Sequence, residues 1–129
     1  MKIILPYCRA LSWNKIYSSP HWTVRRELAD EAHQEVISAL LAMGIAPLSG
    51  KNLIKQRVDL VFTAYYNIRA VDSSNICGKV YEDALKGIIL VDDSLKYVRR
   101  VTTQSILDRQ KGSPRLEIDI IPIDNTNIK

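Results

Sequence analysis

The sequence predicts a mixed α/β domain of the α+β type, a two-layer sandwich with element order β-α-β-α-β-β. Two amphipathic segments each carry one apolar face, so each needs a single packing partner. Four shorter segments are apolar or alternate in polarity, as strands on one sheet do. The chain has 129 residues, enough for one core and too few for two ordinary domains. We therefore expect one domain over residues 1–129, with both helices on one mixed or antiparallel sheet.

The first half of the chain predicts a strand, a loop and a long helix. Lys2–Leu5 is a short apolar strand that Pro6 ends, and a polar and aromatic loop follows. Ser19–Pro20 is a helix start, because serine caps the first turn and proline needs no donor there. Gly44 is the predicted helix end. Apolar residues recur between these limits at helical spacing: Leu28, Ala29, Ala32, Val36, Ala39, Leu40 and Met43.

The second half predicts three strands and a second helix. Gln56–Tyr66 is rich in β-branched and aromatic residues, and the second helix follows over Ser74–Lys86. Tyr97–Ser105 and Leu116–Ile123 alternate as strands, with a charged turn over Ile106–Pro114 between them. The predicted apolar face of the second helix holds Ile76, Cys77, Val80, Tyr81 and Ala84. Its predicted polar face holds Lys79, Glu82, Asp83 and Lys86.

Composition limits the classes of function. Hydrophobic residues make up 47% and charged residues 25% of the chain, as in a globular domain. No apolar run is long enough to span a membrane, and the start lacks the long apolar region of a signal peptide. Cys8 and Cys77 are the only cysteines, which favours a reducing cytoplasm. The net charge of +4 is compatible with a polyanionic partner but does not identify one.

Four carboxylates surround one lysine in the sequence of the second helix and its flanks. Asp72 precedes the helix, Lys79 and Asp83 lie on it, and the Asp92–Asp93 pair follows its closing loop. The chain reverses direction after the helix, so the residues before and after it are expected near the same edge of the sheet. Carboxylates brought together there repel unless a cation lies between them. Mg²⁺ prefers such oxygen ligands and can activate water for phosphodiester hydrolysis. The lysine could then stabilise the developing charge.

Each of these residues also has a purely structural interpretation. Asp72 or the serines after it could cap the second helix. Lys79 and Asp83 have the i,i+4 spacing of a solvated salt bridge. Asp92–Asp93 could form an ordinary acidic turn. An acidic cluster on the solvated surface of an unrelated α/β protein is therefore an alternative to the metal site.

An ordered set of short motifs resembles the RusA family of Holliday junction resolvases, which are dimeric Mg²⁺-dependent endonucleases of phages and prophages. Each motif is short, but together they occur in the same order over nearly the whole chain. The amino end matches with Leu5, Pro6, Ser12, Asn14 and Tyr17, where the family has LP…SxNxxY. The later matches are Asp72–Asn75, Lys79, Asp83–Leu85, Gly87, Asp92–Asp93 and Arg115–Ile118.

The resemblance implies a role for each matched residue. Asp72 and Asp93 correspond to metal-binding aspartates, with Asp92 beside the second as a further ligand, and Lys79 corresponds to the catalytic lysine. Two departures affect this assignment. Ser74 stands where the family has a second aspartate, which removes a charged ligand, and one extra residue precedes the lysine.

Three functional hypotheses follow. The first is a Mg²⁺-dependent endonuclease that resolves four-way DNA junctions as a homodimer, whose twofold symmetry would match the junction. The second is a RusA-like protein that binds branched DNA but no longer cuts it, because Ser74 weakened the metal site. The third is the unrelated α/β protein described above. The expected DNA contacts are Asn14, Arg69, Arg99 and Arg100.

Overall fold

The computed structural model describes residues 1–6, 22–47, 50–66, 76, 78–108 and 114–123. This part of the chain forms an α+β fold with two helices and a four-stranded mixed sheet, which confirms the predicted element order. The elements are β1 (Lys2–Pro6), α1 (Trp22–Ala42), β2 (Val58–Tyr66), α2 (Gly78–Leu85), β3 (Val98–Leu107) and β4 (Arg115–Pro122). Neither helix in these ranges has the length and apolar character needed to cross a membrane.

The strands lie in the order β1-β4-β2-β3, so the last strand in sequence is internal in the sheet. β4 is antiparallel to both of its neighbours, β1 and β2. β2 and β3 are parallel, and α2 belongs to the crossover that joins them. One register row crosses the whole sheet through Ile3, Ile118, Phe62 and Thr103.

The core lies on one face of this sheet. Successive strand residues point to opposite faces, and the buried apolar ones share the face of Phe62. α2 packs on that face, since a Cβ atom added at Gly78 would lie 3.0 Å from Phe62 Cδ2. α1 contacts both α2 and β1, and its buried stripe recurs every fourth residue: Leu28, Ala32, Val36 and Leu40. Both helices therefore form one layer against the sheet.

α1 ends at Ala42, and Gly44 follows it as the glycine that the sequence predicts to terminate the helix. This glycine has a φ of 76°, a conformation that side chains with a Cβ rarely adopt. Its N–H donates to the Leu41 carbonyl at 3.0 Å, and the Ile45 N–H donates to the Leu40 carbonyl at 2.9 Å. This pair of bonds is a Schellman motif, and Ile45 packs against the core beside it.

Several predicted boundaries differ from the observed ones. α2 begins at Gly78 rather than at Ser74, because Ile76 is a buried bridge residue and the described helix within the predicted range 74–86 covers 78–85. β3 continues through Leu107 instead of ending at Ser105, because Ile106 and Leu107 pair with Tyr65 and Tyr66. The predicted start of the first helix at Ser19–Pro20 lies outside the described residues.

Candidate functional site

α2 presents two charged residues of the candidate site on its exposed side. Tyr81, Ala84 and Leu85 are buried against the core, which leaves Lys79 and Asp83 facing outward. The Lys79 Nζ lies 3.0 Å from Asp83 Oδ1, the i,i+4 pair that the sequence predicts. The helix therefore fixes a lysine and a carboxylate on adjacent turns.

A tight turn after α2 returns the chain toward this pair. Gly87 has a φ of 78°, which allows the reversal, and its N–H donates to the Leu90 carbonyl at 2.7 Å. The Leu85 carbonyl lies within 3.2 Å of three successive backbone nitrogens, those of Ile88, Ile89 and Leu90. These three residues are buried, so the turn is anchored in the core before the Asp92–Asp93 pair emerges from it.

The returning aspartates meet the lysines of α2 and of its end. Lys79 Nζ is 2.9 Å from Asp93 Oδ2, although 14 residues separate the two in sequence. Lys86 Nζ lies 3.4 Å from Asp92 Oδ1 and 3.8 Å from Asp93 Oδ1. Each oxygen of Asp93 therefore faces a different ammonium group. We refer to Lys79, Asp83, Lys86, Asp92 and Asp93 as the lysine–carboxylate cluster.

The ion pairs of the cluster shift its protonation equilibria. The hydrogen bond from Lys79 lowers the pKa of Asp93, and this outweighs the opposing effect of burial on a side chain that is 18% exposed. Hydrogen bonds to Asp93, and secondarily to Asp83, raise the pKa of Lys79 above its ordinary value. Lys79 and Asp93 therefore both stay charged at neutral pH.

Glu82 and Lys86 also belong to this environment, and neither was predicted as a site residue from the sequence. Burial raises the pKa of the Glu82 carboxyl, with smaller contributions from Asp93 and Asp83 that Lys79 opposes. Lys86 pairs with both residues of Asp92–Asp93. Helical spacing could have placed both residues beside Lys79 and Asp83, because positions 79, 82, 83 and 86 share one helical face. What the sequence could not give was the path of the turn that brings the aspartates back to it.

Several predicted site residues lie outside the described part of the chain. These are Asp72, Ser74, Asn14 and Arg69. The expected approach of Asp72 to Asp93 therefore stays a prediction.

The donors in the cluster fit Mg²⁺ in type but not in number. Carboxylate oxygens of Asp92 and Asp93 are the hard ligands that this ion prefers. Across the described ranges, however, no three acidic, histidine or cysteine side chains are grouped closely enough to hold a metal ion. A magnesium site here would need a third carboxylate from elsewhere, and Asp72 is the one that the resemblance supplies. It would also require the ammonium groups beside Asp93 to move.

The two arginines predicted to contact DNA differ in their surroundings. Arg99 lies at a register irregularity between β2 and β3 and pairs with Asp59 through two hydrogen bonds, one of them Nε to Oδ1 at 3.0 Å. The hydrogen bond from Arg99 lowers the pKa of Asp59. Arg100, by contrast, is exposed on β3 in register with Asp59. Arg99 therefore has a structural role already, whereas the DNA contact of either arginine stays a prediction.

Comparisons with known proteins add no assignment to this geometry. No protein-family model matches the chain, and no curated protein is similar to it. The fold and the site define an α+β domain with a lysine–carboxylate cluster between a helix and the turn that follows it.

Proposed function

We propose that this protein is a Mg²⁺-dependent, structure-selective endodeoxyribonuclease of the RusA type that resolves Holliday junctions and related branched DNA. The observation that carries the proposal is the 2.9 Å contact between Lys79 Nζ and Asp93 Oδ2. These are the two described residues to which the resemblance assigns the catalytic lysine and a metal-binding aspartate. The two residues are 14 positions apart in sequence, and the turn after α2 brings them into contact.

In this proposal the acidic residues form the metal site. Asp93 and Asp92 would supply carboxylate oxygens from the turn after α2, and Asp72, which precedes α2 in sequence, would supply another. When bound by these residues, Mg²⁺ would supply an activated water and would neutralise charge on the scissile phosphate. Ser74 occupies the position of a lost carboxylate, so fewer charged ligands are available than in the family pattern.

Lys79 provides the positive charge that phosphodiester cleavage requires beside the metal. Its raised pKa keeps the ammonium protonated at neutral pH, so it can donate hydrogen bonds to a phosphate oxygen as negative charge grows. Asp83 Oδ1 lies 3.0 Å from the Lys79 Nζ, one turn along the same helix. This ion pair orients the ammonium group while leaving it beside Asp93. Lys86 Nζ lies 3.4 Å from Asp92 Oδ1 at the end of α2, and the proposal gives it no direct part in cleavage.

A second candidate function is supported by a specific observation. Each carboxylate of the cluster is already paired with Lys79 or Lys86, and the described residues hold no complete metal-ligand group. Together with Ser74, this favours a RusA-like protein that binds branched DNA without cutting it. The two candidates share the DNA-binding surface and differ only in metal-dependent cleavage.

A cleavage assay on a four-way junction, with and without Mg²⁺, distinguishes the two. The nuclease proposal predicts Mg²⁺-dependent nicks on opposing strands, loss of cutting in Asp93→Asn and retained or stronger junction binding, since a negative charge near the phosphates is removed. Asp30→Asn is the matched control, because Asp30 is an exposed carboxylate on α1.

Each result of this assay decides between the candidates. Junction binding without any cleavage by the native chain would select the binding protein. Cleavage by Asp93→Asn at the native rate would exclude this site as the source of activity.

A further inference from the structure

The outer edge of β3 is open to solvent and partly apolar. β3 ends the sheet, and no strand among the described residues pairs with its outer edge. Val101, Ile106 and Leu107 are 42%, 37% and 44% exposed, which is unusual for large apolar side chains in a strand. Val101 and Leu107 lie on the face of β3 that carries the helices, and Ile106 lies on the other face. Neither the helices nor any other described element covers them fully. We refer to Val101–Leu107 as the open edge.

The two edges of the sheet differ in how they are protected against pairing. β1, at the other edge, has only five residues, and it carries Lys2 and Pro6. Short length, lysine and proline are the features by which native edge strands avoid association. The open edge reads VTTQSIL and contains no charged residue, proline or glycine. A strand of this kind is expected to be covered by a partner.

We propose that the open edge binds a second copy of this chain, with the two β3 strands antiparallel about a twofold axis at Gln104. An axis normal to the sheet keeps the helices of both copies on one side, so facing residues must come from the same face of β3. With Gln104 opposite itself, Val101 faces Leu107 and Thr102 faces Ile106 of the other copy. Val101 and Leu107 then form an apolar cross-strand pair on each side of the axis, and Ile106 packs against the side chain of Thr102, contacts that stabilise paired strands.

Charge supports the same register. Continuing the pairing outward places Arg100 of one copy opposite Asp108 of the other, so opposite charges meet at both ends of the joined strands. An axis at Thr103 would instead set Arg100 against Ile106. An axis at Ser105 would set Ile106 against Gln104 and Asp108 against Thr102. The register centred on Gln104 is the one that matches both polarity and charge.

The proposal does not depend on nuclease activity. It concerns a surface of β3, whereas the lysine–carboxylate cluster belongs to α2 and the turn after it. A protein that proves inactive on DNA could still join two sheets in this way. A cleaving protein with a different dimer surface would contradict this proposal and leave the proposed function intact.

Sedimentation of the full chain over a range of concentrations tests the proposal. We expect a concentration-dependent dimer, and Ile106→Lys should raise its dissociation constant at least tenfold, because each copy would place an unpaired charge against Thr102 of the other copy. Ile121→Lys is the matched control, since Ile121 is 46% exposed on β4, which is internal in the sheet. A monomeric native chain at all concentrations, or equal weakening by the two variants, would overturn the proposal.

Cysteine cross-linking tests the register separately and does not depend on a charged variant folding. Gln104→Cys places one thiol from each copy beside the axis, within reach of a disulfide. Val101→Cys places them several residues apart along the strands, and the native chain controls for Cys8 and Cys77. Oxidation should therefore cross-link Gln104→Cys faster than either control. Equal cross-linking of Val101→Cys would exclude this register.

Discussion

Asp93 is the residue on which the acid response of the cluster depends. Its pKa is lowered in the folded protein, chiefly by the hydrogen bond from Lys79. A carboxyl whose folded pKa lies below its unfolded value contributes stability above that unfolded value. The contribution is lost as pH falls through the folded pKa. The relevant window therefore lies below the ordinary aspartate pKa of 3.8.

Asp93→Asn should destabilise the protein at pH 7 and have a smaller effect as pH falls below 4. Because Lys79 is 53% exposed, the ion pair is partly screened and the expected loss is about 0.5 to 1 kcal/mol. Urea unfolding of variant and native protein at pH 7, 5 and 3 measures this difference. Asp30→Asn, which changes an exposed carboxylate on α1, should show no such trend. A difference that is the same at all three values would contradict the assignment to Asp93 ionisation.

Lys79 and Lys86 occupy similar positions but should have separable roles. Both ammonium groups neutralise Asp93, and both would compete with a divalent cation for its oxygens. In the proposed mechanism only Lys79 also contacts the scissile phosphate.

Lys86→Met should therefore tighten Mg²⁺ binding several-fold and preserve cleavage. Lys79→Met should also tighten Mg²⁺ binding but reduce cleavage by at least a hundredfold, as loss of a charge-stabilising donor does. Calorimetric Mg²⁺ titration and single-turnover cleavage measure the two effects. The control is Lys55→Met, at an exposed lysine before β2. Mg²⁺ affinity unchanged in both cluster variants would show that the carboxylates do not hold the ion.

At the scale of single elements, the first residue of α2 sets how closely the helix approaches the sheet. A Cβ added at Gly78 would lie 3.0 Å from Phe62 Cδ2 and 3.2 Å from Thr103 Cγ2. These contacts are tighter than side chains in a packed core accept without displacement. Since Lys79 follows directly, the same approach positions the lysine of the site.

Gly78→Ala should destabilise the fold by about 1 to 3 kcal/mol, the usual cost of overpacking a core position. It should also slow any cleavage, because α2 must shift away from Phe62. Denaturant unfolding and the junction assay measure the two effects. Gly50→Ala is the control, since nothing lies within 4 Å of a Cβ built there. Equal stability of the two variants would mean that the helix can adjust at no cost.

Local patterns predicted the helices better than the sheet. The four-residue recurrence of Leu28, Ala32, Val36 and Leu40, followed by Gly44, gave α1 and its end because both signals are local. Strand order could not be derived in this way. The pairing of Ile3 with Ile118 joins residues at opposite ends of the chain, and alternation alone does not say which strands meet.

The candidate site was predicted in part for the same reason. The Lys79–Asp83 pair follows from helical spacing and is confirmed. The contacts of Lys86 with Asp92 and Asp93 depend on a turn in which three N–H groups converge on the Leu85 carbonyl. Such a turn has no periodic signature, since it is fixed by burial of the apolar residues between the helix and the aspartates.

At the scale of the whole molecule, the excess of basic residues gives a net charge of +4. If these residues contact DNA phosphates, the affinity for DNA should depend on salt concentration. Each phosphate contact made by a cationic side chain contributes about −0.9 to the log–log slope of affinity against salt on duplex arms. A junction-selective protein should also prefer a four-way junction to linear duplex at equal salt. Affinity that does not change with salt would favour the third hypothesis, of an unrelated protein with a solvated acidic cluster.

Arg100→Ala should reduce the magnitude of that slope by about 0.9 if Arg100 contacts a phosphate in the DNA complex rather than Asp108 of a second copy. Arg99→Ala is the informative comparison, because Arg99 is engaged by Asp59 and should change stability more than slope. Fluorescence anisotropy of labelled junction between 50 and about 200 mM salt provides the measurement. A larger slope change in Arg99→Ala than in Arg100→Ala would reverse the two roles.

The internal position of β4 has a consequence for how the chain is made. Ribosomes deliver a protein from its amino end, so β1 leaves first and β4 last among the described strands. β1 pairs with β4, so Ile3 and Leu5 have no neighbouring strand while the intervening residues are being translated. β2 and β3 can already pair during that interval. Completion of the sheet must therefore wait for the final strand, and β1 stays without its neighbouring strand until β4 inserts between β1 and β2.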